Sequence, residues 1–156
     1  VLRVEQVSEA FQARRSATGK VYHYRAWTSA VVSPFERRFV SHAPYPHDLD
    51  RMRVAAEALV GLHEFDAFTV ADRDTLTTRR NLRRLDIDVH GDELRIEAEA
   101  NGFLRSMVRT IAGTLLAVGD GRMSVDQVLE ALATKRRELA GPTAPARGLT
   151  LVRVDY

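Results

Sequence analysis

The 156-residue sequence contains no cysteine. This absence excludes disulfides, thiolate metal sites and cysteine nucleophiles, and it fits a reducing compartment. There is no apolar run of about eighteen residues and no signal-peptide pattern, so the expected location is cytoplasmic. A large charge excess is missing as well: 23 Lys and Arg stand against 21 Asp and Glu, a formal net charge of +2. Such a balance permits a nucleic-acid partner without requiring one. The signatures GxGxxG, GxxxxGK[ST] and GxSxG do not occur, which removes the usual nucleotide cradles and the nucleophile elbow. Five histidines, His23, His42, His47, His63 and His90, sit in different segments with no i, i+4 pair, and no metal is expected. Internal repeats and low-complexity segments are likewise lacking.

What is there describes one globular domain, 45% apolar and 28% charged, long enough to bury a core. "VLRVEQV" alternates from its first residues, which predicts a strand and suggests a sequence that opens in the middle of something. "KVYHYRAW" alternates too, with Tyr22 and Tyr24 on one face and Val21 and Trp27 on the other. Residues 33–47 form a proline-punctuated loop. Asp48 is the predicted N-cap of a helix that carries Met52, Ala55, Ala56 and Leu59 on one face and stops at Gly61. In "LHEFDAF", Phe65 and Phe68 are spaced to bury both rings on one short turn.

Residues 82–100 are the clearest hairpin. Gly91-Asp92 is a two-residue turn signal between alternating runs. Pairing His90 with Glu93 sets Val89 opposite Leu94, Ile87 opposite Ile96 and Leu85 opposite Ala98 on one face. The other face then opposes Asp88 to Arg95 and Arg84 to Glu99, and leaves Asp86 against Glu97 as a like-charge mismatch. A helix over residues 103–118 follows, then another with Ser124 and Gln127 as a capping box, a loop with Pro142 and Pro145, and a last strand, "LTLVRVDY". The expected fold class is α+β, a mostly antiparallel sheet with helices packed on one face.

Two features carry charge where it needs explaining. "NGFLRSMVRTIAGTLLAVG", residues 101–119, is apolar almost all round but holds Arg109 near its middle, and the arc containing Arg109, Ala112 and Gly113 is made of small residues that invite close packing. A guanidinium does not deprotonate in a protein, so its burial calls for an anion or carbonyls, supplied either by this chain or by a partner. "RRNLRR", residues 79–84, is the strongest basic cluster: either a strand end paired with the hairpin acids, or a set of phosphate contacts.

Read together, "FQARRSATGKVYHY", "GLHEFDAF", "TTRRNL", "NGFLRSMVRTIAGTLLAVG" and "AGPTAPARGLTLVRVDY" occur in the order and spacing found in the TruA-type tRNA pseudouridine synthase family. The whole sequence resembles the C-terminal portion of that family. The resemblance implies one half of a pseudouridine synthase fold. It further implies an isomerase that detaches uracil from a uridine in the tRNA anticodon stem-loop, turns the base and rejoins it through C5. No redox change occurs in that reaction, so no cofactor is implied. The partners implied are tRNA, an N-terminal domain of the same protein, and a second copy in a homodimer. The family's essential Asp belongs to a G-R-T-D-x-G-V-H motif in its N-terminal half. That motif is absent here, and Arg73-Asp74-Thr75 has the wrong order to replace it. Residues 1–156 are therefore expected to be a single C-terminal domain that is inactive alone.

By resemblance, Tyr22 is the tyrosine that lies against the target uracil, and Arg109 is the arginine that pairs with the catalytic Asp. Arg79, Arg80, Arg83 and Arg84 are the expected RNA-binding residues. A non-catalytic RNA-binding or dimerising module of the same fold is the alternative.

Overall fold

The computed structural model describes residues 4–70 and 77–156. Among these, six strands form one sheet: β1 (Gly19–Trp27), β2 (Ser41–His42), β3 (Gly61–Glu64), β4 (Arg79–His90), β5 (Glu93–Ala100) and β6 (Leu149–Asp155). The order is β2-β1-β5-β4-β3, with β6 also on β1, and every pairing is antiparallel except the short β1–β2 contact. Three helices, α1 (Leu49–Leu59), α2 (Met107–Gly119) and α3 (Val125–Thr134), complete an α+β fold.

Local sequence explains most of these elements. The β4–β5 hairpin has the register that its alternation predicts, from His90 opposite Glu93 to Arg84 opposite Glu99. The Asp86–Glu97 mismatch is resolved by a cation between them, since Arg84 pairs with Asp86 at 3.1 Å and also with Glu97 and Glu99. Asp48 caps α1 by accepting from the Arg51 N–H at 3.0 Å, and Ser124 and Gln127 make a reciprocal capping box on α3. Phe65 and Phe68 flank a single helical turn, fully buried, with their rings 6.0 Å apart and tilted edge to face. Tyr24 and Ala26 of β1, Leu94, Ile96 and Ala98 of β5, and Leu85 and Ile87 of β4 cover the sheet face on which α1 and α2 pack.

Two expectations fail. Of the strand expected over residues 1–7, residues 4–7 form none and residues 1–3 lie outside the described residues; the edge of β1 is taken by β6 instead, so alternation here has no β1 ladder to join. The helix predicted over 103–118 begins only at Met107. Its first turn is prevented because the Arg105 carbonyl accepts from the Val70 N–H (3.2 Å) and the Thr69 hydroxyl (3.0 Å), and Ser106 lies in the left-handed region at φ 61°.

The opposite sheet face is a lattice of charge. Glu93, almost buried, accepts from Arg25 (2.9 Å) and Arg95 (3.0 Å). Burial alone would push its carboxyl up, but the hydrogen bonds from the two arginines hold it below the usual carboxylate range. Glu97 is lowered in the same way: burial opposes, and the His23 hydrogen bond and the Arg84 charge outweigh it. A carboxylate more acidic when folded stabilises the fold above its unfolded pKa, and that contribution disappears as the pH falls through the folded value. Urea midpoints followed by circular dichroism are therefore expected to fall as the pH drops below the usual carboxylate range, and Glu93→Gln is expected to flatten that acid limb. An equally steep limb in the variant would place the titrating groups elsewhere.

Candidate nucleic-acid interface

Along β1 the period of two puts Lys20, Tyr22, Tyr24 and Ala26 on the helix-side face, opposite Ala100, Ala98, Ile96 and Leu94 of β5. Tyr24 and Ala26 are core, whereas Lys20 and Tyr22 continue the same face beyond it and are only half-buried. The Tyr22 ring is held by Phe103, at a centroid distance of 5.2 Å and an interplanar angle of 89°. Phe103 belongs to the non-helical segment ahead of α2, so the capture of the Arg105 carbonyl that delays the helix also shapes this ring contact.

The basic cluster of β4 is divided by the backbone. Counting back from Ile87 and Leu85 in an unbroken strand would turn Arg79 and Arg83 toward the helices and Arg80 away from them. A register shift between Leu82 and Arg84 reverses this, so that Leu82 is core and Arg80 shares its face. Arg84 is held by three carboxylates of the hairpin, and Arg83 donates to the Thr18 carbonyl at 3.0 Å. Arg79 is exposed at the start of the strand. Arg80 Nη1 donates to two carbonyls, Thr77 (2.9 Å) and Arg79 (2.7 Å). Burial pushes its guanidinium below the usual arginine value, and no carboxylate among the described residues answers it.

Arg80 opens into a cleft of about 500 Å³ that Arg14, Ala17, Lys20 and the segment 101–105 also line. None of these lining residues is acidic. Arg14, Lys20, Phe103 and Arg105 were not assigned from the sequence, although each lies inside one of the motifs singled out there; nothing local shows that segments so far apart in the chain meet.

Arg109 is not among the cleft residues. It is half-buried on α2, where its Nε donates to the Ala144 carbonyl at 2.7 Å while the Ala144 N–H returns a bond to the Arg109 carbonyl at 3.1 Å. The close packing expected on this arc comes from the chain itself: residues 141–144 cross α2, Gly141 donating to Thr114 Oγ1 at 2.9 Å and Thr143 meeting Thr110 at 3.2 Å. The Tyr24 hydroxyl donates to Pro145 at 3.0 Å beneath this crossing. Burial pushes the Tyr24 phenol up, and the nearby charges of Arg109 and Arg147 oppose that rise. Among the described residues Arg109 has no carboxylate partner.

No group of three or more His, Asp or Glu suited to a metal occurs among the described residues, and no helix there is long and apolar enough to cross a membrane. Residues 73–75 lie outside the described residues.

Comparison with known proteins gives a consistent result. A family model described as tRNA pseudouridine synthase matches residues 55–156. A protein of Bacillus pumilus named tRNA pseudouridine synthase A is 42% identical over 156 residues, covering 100% of this chain and 63% of the relative. Proteins of the same name from Listeria monocytogenes (42% over 157 residues, 99% of this chain, 63% of the relative) and Methylorubrum populi (40% over 160 residues, 100% and 64%) match similarly. The chain thus spans somewhat less than two thirds of the length of these curated relatives.

Proposed function

The chain belongs to the tRNA pseudouridine synthase family, and on that premise we propose that it is the C-terminal domain of an isomerase that converts uridine to pseudouridine in the tRNA anticodon stem-loop. The observation that carries this reading is the match of the whole chain to named synthases at 42% identity. The reaction breaks the bond from C1′ to the uracil N1, turns the base, joins C1′ to C5, and gives up the C5 proton while the freed N1 takes one up, so that atoms balance and there is no net redox change.

Each site residue has a role in this scheme. Tyr22 lies against the extruded uracil, where an aromatic plane suits a base removed from its stack, and Phe103 holds that plane at a right angle. Arg109 pairs with an Asp of an N-terminal half carrying the G-R-T-D motif. Its Nε is committed to Ala144, and the two Nη groups make no bond among the described residues, so the fork that grips a carboxylate is free. RNA contacts come from the basic stretch at 79–84, Arg80 above all. The complete protein works in the cytoplasm as a homodimer on tRNA.

Incubation with unmodified tRNA, followed by mass spectrometry for the carbon-linked nucleoside, tests the reading. A polypeptide in which this chain is joined to a half carrying the Asp is expected to form pseudouridine. This chain alone is expected to form none, because the G-R-T-D motif that carries the family's catalytic acid does not occur in its sequence. Turnover by the chain alone would show that the catalytic acid lies within it. Binding of tRNA with no product from the joined polypeptide would favour the non-catalytic module.

A further inference from the structure

We propose that Arg14, Lys20, Arg80 and Arg105 form one subsite that grips consecutive phosphodiesters of a single-stranded RNA segment, with a base of that segment laid against Phe103. This deepens the tRNA reading and rests on it for the choice of RNA as the ligand.

The four cations come from four places: the turn at residues 12–16, β1, β4, and the segment that precedes α2. They are brought together only by the fold, around one cleft. Their neighbours differ from those of most other sheet arginines. Arg25, Arg83, Arg84, Arg95 and Arg153 each pair with a carboxylate, and of the rest only Arg79, exposed at the start of β4, has none among the described residues. Among the described residues Arg14, Lys20, Arg80 and Arg105 have no such partner, and none of the described residues lining the space between them is acidic. Four cations around a cleft whose described lining holds no acid make a strongly anion-seeking surface.

The supports are built in. Two carbonyls fix Nη1 of Arg80, which pre-orients the rest of its guanidinium. The turn bearing Arg14 is tied by the Ser16 hydroxyl to the Gln12 N–H at 3.0 Å, and Phe11 is anchored on the Tyr156 ring at 5.1 Å. Phe103 is the one aromatic among the described residues that line the cleft, and its ring meets that of Tyr22 edge to face. Cations that follow a backbone, interleaved with an aromatic plane, suit a single strand, whose unstacked bases offer a face; a closed duplex offers none. A cleft of about 500 Å³ is of the size that admits a nucleotide.

Fluorescence anisotropy of this chain with labelled oligouridylate, a blunt RNA duplex and unmodified tRNA, each over a range of KCl concentrations, tests the proposal. Oligouridylate is expected to bind more tightly than the duplex. The double variant Arg14→Gln/Arg105→Gln is expected to flatten the slope of log K against log salt by about 1.4, two single-strand phosphate contacts at about 0.7 each. Arg14→Lys/Arg105→Lys is expected to restore the slope, and Arg136→Gln, which removes an exposed charge elsewhere, to leave it unchanged. Phe103→Ala is expected to weaken oligouridylate about tenfold at an unchanged slope. Arg14 and Arg105 are exposed, so these variants keep the fold, and a melting curve of each verifies it. A wild-type slope in the Gln double variant overturns the subsite and leaves the tRNA reading standing. Expected behaviour with oligouridylate but no binding of tRNA supports the subsite and overturns tRNA as the substrate.

Discussion

Gly113→Ala is expected to destabilise the domain by about 3 kcal/mol, the upper part of the usual range for overpacking a tight interior. An alanine Cβ at this position would stand 1.9 Å from the Pro142 carbonyl oxygen and 3.2 Å from the Ala144 nitrogen. Both are backbone atoms, so no side chain can swing aside, and the crossing segment must lift off α2. Lifting it strains the bonds that tie the segment to the helix: Arg109 to Ala144, Thr110 to Thr143 and Gly141 to Thr114. Gly141 is equally confined, its added Cβ meeting the Thr114 Cα at 2.5 Å, so the segment cannot slide along the helix to relieve the clash. Urea titration of wild type and variant measures the cost. A loss below about 1 kcal/mol would mean that the 141–144 crossing yields easily and does not hold Arg109 in place.

Arg109→Met is expected to act very differently in two settings. In this chain the arginine gives up one hydrogen bond from a charged donor to a carbonyl, so the expected loss of stability is about 1.5 kcal/mol. In a protein that also carries the family's Asp, the pairing proposed for Arg109 predicts that the same change strands that carboxylate without the group that orients it. Misplacement of a reacting group by about an ångström costs on the order of a hundredfold in rate, and turnover is expected to fall by at least that much while the fold survives. Arg109→Lys is expected to rescue little, because a lysine keeps the charge but cannot bond Ala144 and present a planar fork at once. Denaturant melts of the chain and single-turnover assays of the longer protein, with each variant, measure the two effects. A stability loss of about 3 to 5 kcal/mol in the chain alone would show a committed carboxylate partner already present within it, since breaking a buried ion pair from one side costs that much.

Arg109 also shows how far the sequence can be read. Helix periodicity places it on an arc of small residues and demands a partner, and both inferences stand. The identity of the partner in this chain, a backbone carbonyl 35 positions away, is not visible in any local pattern. The opposite case is the hairpin. Each of its cross-strand pairs from His90–Glu93 to Arg84–Glu99 follows from a two-residue turn and a period of two, because turn and strands lie next to one another in the chain.

The sequence by itself therefore determined what neighbouring residues decide: the caps of α1 and α3, the register of β4 with β5, and which residues of each strand share a face. These are set by backbone geometry and by hydrogen bonds spanning a few positions. Tertiary structure alone decided the rest. The register shift after Leu82 turns Arg80 to the side of the sheet that bears the helices and leaves Arg84 among the hairpin acids, although both belong to one run of six residues. Thr69 and Val70 take the Arg105 carbonyl and so delay α2, which frees Phe103 to meet Tyr22. Pro142 crosses over Gly113, and four cations gather at one cleft from positions 14, 20, 80 and 105. Each of these outcomes depends on which distant segment fills a given space or takes a given carbonyl, and that competition is settled by packing the whole chain, not by the period of any part of it.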